Sequence, residues 1–241
     1  MIEQLYKCFK HWSAAGTVWI YSDPHFNDSE MVSYGRLSDE EQLTRINSKV
    51  GKKDTLIILG DVGDVSFVRR IKGRKILIMG NHDKGRSNYE RQVIQKKFDK
   101  DKYSKEEALA AMKNDYPEYS LTICEGYDCC HAPFEFWMIL ADNKLFDEVY
   151  EGILAIGEKI ILSHEPICFP FAVNIHGHMH KGDTMDNCIN CCSNVINYTP
   201  ISLNKLVKDG AFSKVETIHR ETINDATERK QKRLKKANSR K

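Results

Sequence analysis

The chain has 241 residues, of which 41% are hydrophobic and 29% charged, and a net charge of +2. These are the values of an ordinary soluble globular protein long enough to bury one substantial core. No apolar run approaches the roughly 20 residues a membrane-spanning helix needs, and Glu3, Lys7 and Lys10 interrupt any signal-peptide pattern, so a cytoplasmic protein with no membrane partner is expected.

The N-terminal stretch Met1 to Ala15 reads as a short amphipathic opening segment. Val18 to Tyr21 is an apolar run, the pattern of a buried strand. It ends in Ser22, followed by Asp23 and His25. In extended backbone, residues two apart point to one side, so a carboxylate and an imidazole are aimed at one point. Phe26 to Leu37 reads as a loop. Ser38 and Glu41 form a capping-box pattern, and Leu43, Ile46 and Val50 line one face of a helix from Asp39 to Val50, which Gly51 ends. The next strand, Thr55 to Leu59, runs into Gly60-Asp61-Val62-Gly63-Asp64. Ser66 to Ile71 suggests a short helix. Arg74 to Met79 is a third strand and ends in Gly80-Asn81-His82-Asp83. Strands alternating with helices predict an α/β fold, and ligands in such folds bind beyond strand ends.

Asn88 to Phe98 and Ser104 to Asn114 suggest helices. Tyr119 to Cys124 and Asp128 to Ala132 suggest strands around a Glu125-Gly126 turn, and Ala141 to Ile156 a further helix. Residues 84–116 are therefore expected to be a partly helical insertion, a candidate partial lid. Lys159 to Leu162 is a strand ending in Ser163-His164-Glu165-Pro166. Ala172 to Ile175 is another, ending in His176-Gly177-His178-Met179-His180. Cys188 to Ile196 reads as a weak strand, and Ser202 to Val207 as a short helix after Pro200. The main domain is expected over 1–220, with 221–241 as a basic, disordered or frayed tail. Residues 228–241 carry eight Lys and Arg against one Glu, which leaves the remainder mildly acidic. The tail is a candidate contact for nucleic acid, although no aromatic residues are interleaved to stack on bases.

The eight cysteines are expected to be reduced thiols in a cytosolic chain. Cys188-x-x-Cys191 with Cys129 and Cys130 could make a zinc site, but a second CxxC is missing, and buried thiols are the better reading. The strand-end residues Asp23, His25, Asp61, Asn81, His164, His178 and His180 are oxygen and imidazole donors. That mixture suits Mn²⁺, Fe²⁺, Ni²⁺ or Zn²⁺ more than Ca²⁺. Seven donors are too many for one such ion and about right for two sharing a carboxylate.

Together the blocks DxH (Asp23, His25), GDxxD (Gly60 to Asp64), GNHD (Gly80 to Asp83), His164 and GHxH (Gly177 to His180) resemble the calcineurin-like metallophosphoesterase superfamily. The resemblance covers residues 17 to about 206 apart from most of the insertion. It implies a four-layer αββα sandwich of two mixed sheets flanked by helices. It also implies two divalent ions, manganese first, one held by Asp23, His25 and His180 and the other by Asn81, His164 and His178, with Asp61 bridging. The implied reaction is hydrolysis of a phosphate ester by in-line attack of a metal-bridging hydroxide. His82 would be the general acid and Asp64 the carboxylate that orients it, with Asp83 as the alternative partner.

One departure bears on the substrate. Phosphoprotein phosphatases of this superfamily place an arginine directly after the second aspartate of GDxxD, and here Val65, Ser66 and Phe67 follow Asp64. Arg69, Arg70 and Arg86 are the candidates to compensate. The substrate expected is therefore a phosphodiester, a cyclic nucleotide or a nucleic acid, with a small phosphomonoester as the alternative. A non-catalytic scaffold on the same fold is the alternative of another class, disfavoured because all seven donors and His82 are kept. His131 and His176 match no donor position and read as structural.

Overall fold

Residues 11–33, 35–83, 92–117, 119–124, 135–156, 159–182, 185–213, 215–216 and 227–232 are described by a computed structural model. In chain order the strands are β1 (Val18–Tyr21), β2 (Thr55–Ile58), β3 (Arg74–Ile78), β4 (Gln92–Asp99), β5 (Ser120–Cys124), β6 (Phe136–Asn143), β7 (Glu148–Tyr150), β8 (Leu154–Ala155), β9 (Ile160–Leu162), β10 (Val173–His176), β11 (Cys188–Asn190) and β12 (Ile201–Ser202). The named helices are α1 (Ser29–Ser33), α2 (Asp39–Lys49), α3 (Lys105–Asp115) and α4 (Leu203–Lys208), with 3-10 turns at 11–13 and Val68–Arg70 and a short helical segment at 227–232. The chain divides into two compact units, residues 86–147 and the remainder.

The larger unit contains two mixed sheets. One has the order β12-β1-β2-β3-β7, parallel except for β12. The other is β11-β10-β9-β8, parallel except for β8. Side-chain alternation sends Val18 and Ile20, Ile57 and Leu59, and Ile76 and Ile78 from the first sheet into one core with Leu162, Val173 and Ile175 from the second. All but Val173 are wholly inaccessible, and each buried aliphatic side chain of this size contributes about 1.5–3 kcal/mol. On the opposite face of the first sheet lies α2. Its Ser38 cap accepts the Glu41 amide, and its apolar face buries Leu43 and Ile46. Gln42 is buried with them and takes the Tyr21 hydroxyl at 3.0 Å. The second sheet turns Asn174 outward beneath the loop after β9, where the Ile167 amide donates to it at 2.7 Å. This is the mixed α/β fold expected. Among the described residues no helix is long and apolar enough to cross a membrane.

Two expectations are corrected. The described part of the helix expected over Asn88 to Phe98 is a strand: Gln92–Asp99 is β4, which pairs along its whole length with β6 from Gln92↔Asn143 to Asp99↔Phe136. Ile94 and Phe98 alternate onto the face that packs with Ala108 and Met112 of α3, a period of two that the short apolar pattern left ambiguous. The helix expected over 141–156 is replaced by the end of β6, then β7 and β8, because the Trp137 to Ala141 run finds partner strands on both sides. The α3 helix is as expected, with its capping box at Ser104 and Glu107. The strand expected at Asp128 to Ala132 lies outside the described residues. The strand at Cys188 to Ile196 stops at Asn190, after which Cys192 bridges to Ser22 and the chain turns.

Candidate metal centre

Five strands, β1, β2, β3, β9 and β10, deliver the donors to one rim of the sandwich. The loop after β1 is tied to the loop after β2 by three backbone bonds: Asp23 N–H to Gly60 O, His25 N–H to Asp61 O, and Phe26 N–H to Val62 O, at 2.9–3.1 Å. Asp23 and His25 do converge, but not through extended backbone. Their φ angles are 53° and 45°, and Asp61 and His178 are left-handed as well, at 51° and 63°. Such conformations cost non-glycine residues on the order of 1–3 kcal/mol each and concentrate at functional sites. Glycines make the close approach possible. A Cβ on Gly177 would strike Ser22 Oγ and Asp23 Oδ2, and one on Gly60 would lie 2.6 Å from His164 Nδ1.

The donor atoms form two groups joined by one oxygen. In the first, His25 Nε2 lies 3.9 Å from Asp23 Oδ1 and 3.7 Å from Asp61 Oδ2, and His180 Nε2 lies 3.7 Å from Asp23 Oδ1. In the second, His164 Nε2 lies 2.8 Å from Asn81 Oδ1, 3.1 Å from His178 Nδ1 and 3.3 Å from Asp61 Oδ2. Asp61 Oδ2 belongs to both, while Asp61 Oδ1 is occupied by the His82 amide at 2.9 Å.

The surroundings prepare these atoms for a cation. Asp23 Oδ1 and His25 Nε2 are buried and have no hydrogen-bond partner, although an unmet buried polar atom costs about 1–3 kcal/mol. A divalent ion held by these residues would satisfy both. The far sides of the donors are anchored, which fixes their tautomers. His25 Nδ1 lies 3.3 Å from Asp28 Oδ2, His164 Nδ1 donates to Leu59 O at 2.8 Å, and Asp23 Oδ2 accepts the His178 amide at 2.9 Å. Burial lowers the His25 pKa despite Asp23 and Asp61, keeping the ring neutral. At His164 burial also opposes the charged ring, but the hydrogen bond to Asp61 and the charges of Asp23 and Asp61 overcome it and raise the pKa to about 9. A site that draws a proton onto His164 has an excess of negative charge.

His82 stands at the mouth of this site, its ring exposed and 5.6 Å from that of His25. Asp64 is not brought to it. Its carboxylate caps the Ser66 amide at 2.9 Å and receives Asn27 Nδ2 at 3.4 Å, so the self-capping role common for aspartate in turns prevails over the orienting role expected. Asp83 is buried and accepts the amides of Asp61, Val62 and Gly80. Arg70 is held by a two-pronged pair with Glu40 at 2.6 Å, and Arg86 lies outside the described residues. His176 is buried, with Nδ1 bonded to its neighbour's carbonyl and Nε2 without a hydrogen-bond partner.

The sequence reading missed two residues. Cys192 Sγ and Asn194 Oδ1 both lie 3.2 Å from His180 Nδ1, and Asn194 Nδ2 also donates to the His180 carbonyl. They brace the imidazole from behind. Burial, assisted by Asp23, pushes the Cys192 thiol far up. No motif marks them, but β11 runs parallel to β10, and whatever follows it must open at the same rim.

The family model described as calcineurin-like phosphoesterase matches residues 16–186. The chain belongs to the calcineurin-like phosphoesterase family. All seven donors and His82 fall inside the match, and membership in the calcineurin-like phosphoesterases implies metal-dependent hydrolysis of phosphoesters at a site for two divalent ions. No curated protein gives a significant match. Among solved structures, the chain is similar to AQ665 from Aquifex aeolicus, a protein of unknown function. The identity is 21% over 80% of this chain and 98% of that one, with a TM-score of 0.47. It is also similar to the nuclease MPE of Pseudomonas putida, at 18% identity over 68% of this chain and 61% of that one, with a TM-score of 0.35.

Proposed function

We propose that this calcineurin-like phosphoesterase cleaves a phosphodiester, with manganese as the preferred ion. Asp23, His25 and His180 would hold one ion, Asn81, His164 and His178 the other, and Asp61 both. The observation that carries the reading is the position of Asp61 Oδ2, within 4 Å of both His25 Nε2 and His164 Nε2. Two divalent ions there supply Lewis-acid neutralisation of phosphoryl oxygens and an acidified water. The mixed oxygen and imidazole donors favour a first-row ion.

The protein's own part is to hold and to protonate. His82 has an exposed ring on a backbone tied to Asp61, which suits it to give a proton to the departing ester oxygen. The preference for a diester rests on charge. No arginine follows Asp64, and among the described residues Arg70 is paired with Glu40, which favours a diester monoanion over a monoester dianion.

The test is hydrolysis of bis-p-nitrophenyl phosphate against p-nitrophenyl phosphate, using stripped protein reloaded with Mn²⁺, Ni²⁺ or Zn²⁺. Diester turnover that peaks with Mn²⁺ and disappears in Asp61→Asn and His82→Ala supports the proposal. Preference for the monoester replaces it with a phosphatase. Two bound ions without turnover of either ester point to a scaffold.

A further inference from the structure

A cleft of about 350 Å³ opens beside the second donor group, with Asn81 and His164 at one end. Met79, Ile153 and Pro166 form apolar walls, and Glu151 and Glu165 stand on its rim. Ile153 is 62% exposed, high for a large aliphatic side chain. Among the described residues no Lys or Arg lines the cleft, and neither rim carboxylate is neutralised by an ion pair. The volume lies in the range of small-molecule sites, where apolar walls and a few polar groups divide the work of binding and orientation.

These features constrain what can lie next to the phosphoryl group. A phosphate over Asn81 and His164 has this cleft, with Met79 and Ile153, open to one of its ester groups. A ring with an apolar face gains by covering Ile153, and N–H or O–H groups on it can donate to Glu151 and Glu165. The next phosphate of a nucleic-acid strand would instead meet two carboxylates. Like charges at such a rim act by negative selection, lowering the affinity of the wrong ligand.

We propose that this cleft is the subsite for the organic group of the substrate, and that it takes an uncharged ring bearing hydrogen-bond donors, such as a nucleobase, in a small diester with a single phosphate. The inference rests on the phosphodiesterase reading above and narrows it, setting the nucleic-acid strand aside.

The test compares kcat/KM for a 2′,3′-cyclic nucleotide and for a single-stranded oligonucleotide of the same base, in full-length, metal-loaded protein. Wild type should favour the cyclic nucleotide. Glu151→Lys combined with Glu165→Lys should move the ratio toward the oligonucleotide by roughly tenfold, as expected for two partly screened charges reversed. Ile153→Asp should raise KM for the cyclic nucleotide. A wild-type preference for the oligonucleotide, or an unchanged ratio in an active double variant, overturns the subsite. If wild type holding two ions turns over neither substrate nor bis-p-nitrophenyl phosphate, the phosphodiesterase reading falls and the subsite with it.

Discussion

The carboxylate of Asp83 accepts the backbone amide of Asp61 at 2.7 Å. It takes the amides of Val62 and Gly80 as well, at 3.1 and 2.9 Å, and is wholly buried. One side chain thus fastens the loop after β3 to the loop after β2. Asp83→Ala leaves three buried amides without an acceptor and should destabilise the protein by about 2–4 kcal/mol. Asp83→Asn keeps part of the acceptor set and should cost less. Denaturant titration of both variants reads the difference.

Asp61→Asn should act on ions more than on folding. The substitution keeps the shape and leaves Oδ1 able to accept the His82 amide, but removes the shared anionic oxygen. The expected outcome is a fall in bound metal from two ions to one or none by elemental analysis. Activity should drop by at least about 100-fold, the scale seen when a site loses a major electrostatic element.

Asp28 tests the support behind His25. Its carboxylate faces His25 Nδ1 and also caps the amides of Glu30 and Met31 at 3.0 and 3.3 Å. Asp28→Asn preserves the cap and removes the charge behind the ring. Metal affinity should fall by about 10–100-fold with little change in melting temperature, which calorimetric metal titration and a thermal scan would separate.

Glu148 sets an acid limit on stability. Burial pushes its carboxyl up, but the hydrogen bonds from Tyr150, Trp12, His11 and Arg74 outweigh it and hold the pKa at about 2. Because the folded pKa lies below the unfolded one, the contribution is complete above about pH 4.5 and is lost as pH falls toward 2. Discounted for solvent screening, it amounts to on the order of 1–2 kcal/mol. Glu148→Gln should lower stability at pH 7 by that amount and flatten the stability profile between pH 4.5 and 2.

The sequence displayed the donor set because each member follows a short apolar run, and apolar runs of that length become buried strands whose ends share a rim. It did not display how Asp23 and His25 converge. Alternation in an extended strand was the expected cause, whereas left-handed backbone braced by cross-loop bonds is the actual one. Asp64 was open to two readings, and the serine two residues on was the available hint that it would cap its own turn. Gln92–Asp99 was misjudged because its few apolar residues fit a helix face as well as a strand face, and only the partner strand β6, more than thirty residues away, decides. Cys192 and Asn194 touch His180 through folding alone, since separations of twelve and fourteen positions erase any local signal.

The donors come from both halves of the sandwich. Asp23, His25, Asp61 and Asn81 follow strands of the first sheet, and His164, His178 and His180 follow strands of the second. Between them the two sheets share an apolar interior, which resists separation but has no directional grip. Ions held across the rim would act as rivets through both plates. A chelator would then do more than silence chemistry: it would let the rim breathe, with faster amide exchange at the ends of β2 and β10 than at the opposite ends. The supply of metal in the cell would govern how long the folded chain endures as well as how fast it works.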